Sequence, residues 1–127
     1  MQSRKDRLRK LVKVQEQLRS LHETRHAIHL AQEMAAKTEA TELIERFDAP
    51  ETMSGLFPEV YHRRIAAAQA RGEASAEKAQ AEAGNVATAR ARSNMVERAY
   101  RTERQWDDRR VADRDRLDMI DRRKDGK

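Results

Sequence analysis

The chain has 127 residues, 39% charged and 38% hydrophobic, with alanine supplying much of the apolar share and a formal net charge of +5. Phe47, Phe57, Tyr61, Tyr100 and Trp106 are its only aromatic residues, too few for a core of large side chains, which argues against a globular enzyme fold. The absence of cysteine excludes disulfides and thiolate metal sites and fits a reducing compartment.

Two prolines and four glycines favour long uninterrupted helices. No apolar run approaches the ~20 residues needed to cross a bilayer. The start, MQSRKDRLRK, is basic but has no apolar stretch behind it, unlike a secretory signal. The expectation is a cytoplasmic protein. Charge is unevenly placed along the chain. Residues 1–25 carry eight basic and three acidic side chains, 26–97 eight and eleven, and 98–127 eleven and eight.

From 3 to 47 the pattern is helical, with Ser3 placed to cap the first turn and Asp6 three residues on. Leu8, Leu11, Val14, Leu18, Leu21, Ile28, Ala31, Met34, Ala35 and Ile44 follow at spacings close to three and four. This predicts one coiled-coil stripe, interrupted at Arg25. Residues 48–58, DAPETMSGLFP, hold both prolines and Gly55 and predict a reversal of direction. A second helical pattern runs from 59 to about 123. Its expected seam passes through Tyr61, Ile65, Ala68, Gly72, Ala76, Ala79, Ala83, Val86, Ser93, Val96 and Tyr100. The small residues in that seam predict close approach of the two helix axes.

These readings give an all-α fold: one domain over 1–127, a long two-helix antiparallel coiled-coil hairpin with an overhanging C-terminal helix. The overhang is an arm in which Arg109, Arg110, Arg114 and Arg116 interleave with Asp107, Asp108, Asp113 and Asp115. Such pairs neutralise one another at helical spacing, which weakens a phosphate-tracking surface and disfavours nucleic-acid binding. The arm also carries Trp106, Leu117, Met119 and Ile120 on a helix otherwise too polar to pack alone. They are candidate anchors for another protein, with Arg110, Arg114 and Arg116 orienting the contact and Leu8 and Leu11 at the arm's root.

His22-Glu23-Thr24-Arg25-His26 matches the HExxH zinc signature, in which two histidines one turn apart bind Zn²⁺ and the glutamate activates water. Only three positions define it, and His29 and Gln32 stand where the extended signature needs glycine and histidine. The expected reading is a solvated polar helix face, with no catalytic residue, cofactor or metal site.

RLRKLVKVQEQLRSLHE at the start, MSGLFPEVYHRRI at the turn and ADRDRLDMIDRR in the arm together resemble the FliJ family of flagellar type III export proteins. The resemblance implies a non-enzymatic coiled-coil stalk whose terminal helices enter the ring of a hexameric export ATPase. It further implies coupling to the membrane export gate and contact with export chaperones. A generic coiled-coil adaptor and a basic nucleic-acid-binding hairpin are the alternative readings.

Overall fold

A computed structural model describes residues 2–50 and 55–126. Helix α1 spans Arg4–Asp48 and helix α2 spans Pro58–Asp125; among the described residues there is no strand. The chain is all-α, as composition predicts. Ser3 caps α1: its Oγ accepts the Asp6 backbone N–H at 3.1 Å, and the Asp6 carboxylate accepts from Arg9 at 2.9 Å. Helix α2 begins on Pro58, expected to be the last loop residue. At a first helical position its missing N–H costs nothing and its fixed φ suits the helix. The Met53-Ser54 part of the predicted turn lies outside the described residues. Arg122, Arg123 and Lys124 occupy the last turn of α2, where cations favour the helix dipole.

The contacts divide into two compact units, Ser20–Thr88 and a second one joining residues up to Arg19 with those from Ala89 onward. Within Ser20–Thr88, α1 and α2 run antiparallel. Phe47 packs on Tyr61 with ring centroids 6.1 Å apart, Arg71 donates to Glu39 at 2.6 Å, and His22 meets Glu82 at 2.9 Å. Ala36, Ala40, Leu43, Ala68, Ala79 and Val86 are buried between them. A Cβ placed on Gly72 would lie 3.6 Å from that of Ala36, so the backbones come close here because the side chains are small.

The other unit holds the start of α1 against the later part of α2. Ala89 and Ser93 are buried, and Gln15 Oε1 is buried with no hydrogen-bond partner among the described residues. Lys5 Nζ donates to Asp107 at 2.9 Å, and Arg4 lies 3.9 Å from Glu103. Every residue from 108 to 126 is exposed. The C-terminal part of α2 therefore overhangs the start of α1.

The predicted stripe of α1 is not the one that meets α2. Positions 5, 8, 12, 15 and 19 turn inward in one unit, and 22, 26, 29, 33, 36, 40, 43 and 47 in the other, a strict alternation of three and four. Of the expected residues only Leu8 belongs to it; Leu11, Val14, Leu18, Leu21, Ile28, Ala31, Met34, Ala35 and Ile44 are exposed. The reason lies in α2, whose inner face is largely alanine, glycine and serine. It is matched by Ala36 and Ala40, which permit closeness, and by polar pairs such as His22–Glu82, which set register. Leu11 and Leu18 lie roughly a quarter-turn from the inward stripe on one flank, Val14, Leu21 and Ile28 further round on that flank, and Ile44 on the other. On α2 the expected seam holds except at Ala83, which is exposed while Glu82 beside it turns inward to His22.

Among the described residues no helix is long and apolar enough to cross a membrane.

Candidate partner-binding site

All nine candidate contact residues fall in the unit that contains the start of α1 and the end of α2. Leu8 is partly covered and faces α2, while Leu11, the next residue but two, is 41% exposed. Thus the root of the site is split: Leu8 packs within the unit and Leu11 faces outward. Trp106 is 57% exposed, and the Arg109 guanidinium sits 5.6 Å from its ring centroid. That contact holds the indole against α2 by cation–π attraction while leaving much of it open.

Two acidic residues fix the root of the arm. Glu103, largely covered, receives Arg4 from α1 at 3.9 Å and accepts from Arg110 of its own helix at 3.2 Å. Asp107 accepts from Lys5, and this bond holds its carboxyl below the usual carboxylate range, reinforced by the charges of Lys5, Arg110 and Arg114. The same bond and the negative charge of Asp107 raise Lys5 above the ordinary lysine value. Arg110 and Arg114 are therefore committed in part to acidic groups of this chain, whereas Arg116 lies further out. Sequence reading missed Glu103; its signal was a carboxylate on the inner stripe of α2, four residues before Asp107.

Beyond the root, Leu117, Met119 and Ile120 are each at least half exposed. Met119 and Ile120 share one shallow depression with Arg116 and Arg123, so two apolar side chains lie between two guanidinium groups. Trp106, Arg110, Leu117 and Ile120 recur at helical spacings and lie along one side of the arm. Such a surface can grip an apolar groove lined by acidic groups; it contains no nucleophile–base pair. Among the described residues no group of three or more His, Asp or Glu side chains could hold a metal ion. Comparison with family models, with curated proteins and with solved structures returns no match to this chain.

Proposed function

We propose that the chain is a non-enzymatic coiled-coil stalk of a flagellar or type III protein-export apparatus. In this reading its terminal helices enter the ring of a hexameric export ATPase and couple that ring to the export gate, with export chaperones as further partners. It works in the cytoplasm at the face of the inner membrane. Support comes from the resemblance of the start, turn and arm to the FliJ family. One structural observation carries the mechanism: α2 runs past the start of α1 and exposes Leu117, Met119 and Ile120 on a charged helix. Exposed apolar residues on such a helix are anchors for a groove or lumen in another protein.

The arm is tested by ending the chain after Arg109. The pairs Lys5–Asp107 and Arg4–Glu103 remain, so helicity and melting are expected to stay close to those of the full chain. Binding to an export-type ATPase, and stimulation of its hydrolysis, are expected to disappear. Equal binding by the truncated and full chains would remove the arm from the mechanism.

A further inference from the structure

In the unit that joins the start of α1 to the end of α2, apolar and basic residues collect on one side. The inward stripes fix the geometry: 5, 8, 12, 15 and 19 on α1, and 89, 93, 96, 100, 103 and 107 on α2. In an antiparallel pair the residues just before one inward position on each helix flank each other. On α1 these are Arg4, Leu11 and Leu18; on α2 they are Arg92, Ala99 and Trp106. Partial burial of Ala99, and the reach of Arg4 to Glu103, agree with that placement. One step further out lie Arg7 and Val14 on α1 and Met95 on α2.

Leu11, Val14, Leu18, Met95 and Trp106 are 40–66% exposed on this side. Leu11, Val14 and Leu18 stand at i, i+3 and i+7, the spacing with which one helix receives another. Arg7, Lys10, Arg92 and Arg98 border them and are exposed. The acidic residues of the paired section are elsewhere. Glu103 and Asp107 are on the inward stripe, tied to Arg4 and Lys5, and Asp6, Glu16 and Glu97 occupy the opposite flank.

We propose that this side of the unit docks an acidic amphipathic helix of another protein, packed along Leu11, Val14 and Leu18 beside Met95, with one end reaching Trp106 near the level of Lys5. The stretch from Lys5, near the level of Trp106, to Leu18 covers about 20 Å, or roughly four turns of a partner helix. Its surround is basic, and the nearest carboxylate, that of Glu103, is paired with Arg4 and Arg110, so a helix flanked by Glu or Asp complements it and a second copy of the same face would repel it. A phosphate backbone would meet the arginines but leave the aliphatic row unused, which favours a helix over nucleic acid. The inference does not rest on the export reading.

Trp106 is the only tryptophan of the chain, so its emission reports on this side directly. The full chain is titrated with a synthetic 21-residue helix carrying Leu at its core positions and Glu at the flanking ones. The expected result is a saturable blue shift that weakens with salt, and little response to the same peptide with Lys in place of Glu. Leu11→Glu with Leu18→Glu is expected to weaken docking at least tenfold while circular dichroism retains the helices. Should that pair disturb folding, Arg7→Glu with Arg98→Glu carries the test and is expected to invert the preference between the two peptides.

A flat titration, or equal response to both peptides, overturns the proposal. So does a single-stranded oligonucleotide that shifts Trp106 and displaces the peptide. So does a doubled sedimentation mass abolished by Leu11→Glu with Leu18→Glu, which would make a second copy the occupant. The chain ending after Arg109 retains Trp106 and this side, so peptide docking and ATPase binding can fail separately.

Discussion

His22 Nδ1 lies 2.9 Å from Glu82 Oε2, across the seam between α1 and α2. A carboxylate only accepts, so the imidazole N–H donates, and the pair is largely sheltered. This places the HExxH histidines differently from the solvated face expected of them. His22, His26 and His29 all lie on the inward stripe, where the first histidine is occupied by a carboxylate of the other helix. The pentad serves helix pairing here.

The His22 bond is the leading cause that holds the Glu82 carboxyl below the ordinary glutamate range; a hydrogen bond from Asn85 and the charges of His22 and Arg25 add to it. A lowered folded-state value means that ionised Glu82 stabilises the fold above the unfolded carboxylate range. That contribution is lost as pH falls through the lowered value. Glu82→Gln is therefore expected to melt below the native chain near neutral pH, with the gap closing below about pH 4. A gap unchanged by acid would show that the carboxylate charge is not what matters.

Lys5 and Asp107 are shifted in opposite directions by one bond. The Asp107 share is present above the ordinary carboxylate range and fades as pH falls through its lowered value. The Lys5 share is complete below the ordinary lysine value and fades as pH rises through its raised one. Both groups are partly exposed, so the pair is screened by salt and its net effect is small. Asp107→Asn is expected to loosen the first turns of α1 locally. Amide hydrogen exchange around Lys10 should quicken while global melting barely moves, and high salt should reproduce the change in the native chain.

Helix count, the turn region, antiparallel pairing and the overhang were all legible, because proline and glycine placement and small-residue spacing are local signals. The inward face of α1 was not. Leu11, Val14, Leu18 and Leu21 make the stronger hydrophobic row, and periodicity alone selects it. What decides the seam is complementarity with α2: Ala36 against Gly72, and His22 against Glu82, neither of which α1 reveals by itself. Among the candidate contact residues, the exposure of Leu117, Met119 and Ile120 was readable from the charged setting, whereas that of Trp106, which could equally have packed on the start of α1, was not. The inward turn of Leu8 and the anchoring role of Glu103 depended on register.

Gly84 has open space where a Cβ would stand, and a Cβ on Gly72 would make ordinary contacts, 3.6 Å to Ala36 and 3.7 Å to Lys37. Both glycines sit inside α2 with no positive φ to protect. Gly84→Ala is expected to stabilise the chain by about 0.5–1 kcal/mol through helix propensity and a less flexible unfolded state. Gly72→Ala should gain as much or somewhat less, its methyl being just accommodated. Gly72→Leu should instead force the backbones apart and cost about 1–3 kcal/mol. Urea unfolding of the three variants ranks them. A loss on Gly84→Ala would mean that this stretch of α2 draws its stability from something other than helix propensity.

Leu43 and Ile44 are adjacent on α1, yet Leu43 is 3% exposed in the seam and Ile44 is 40% exposed. Periodicity assigned the core to Ile44, and the structure assigns it to Leu43. Truncating Leu43 to alanine removes buried methyl groups from a close-packed face and leaves a cavity, at an expected cost of about 2–5 kcal/mol. Truncating Ile44 removes a partly solvated side chain, and the better helix propensity of alanine offsets part of the loss, so the expected change is within about 1 kcal/mol. Urea midpoints of Leu43→Ala and Ile44→Ala, compared with the native chain, therefore decide which stripe holds the two helices together. If Ile44→Ala proved the costlier change, Ile44 rather than Leu43 would face α2 in this unit.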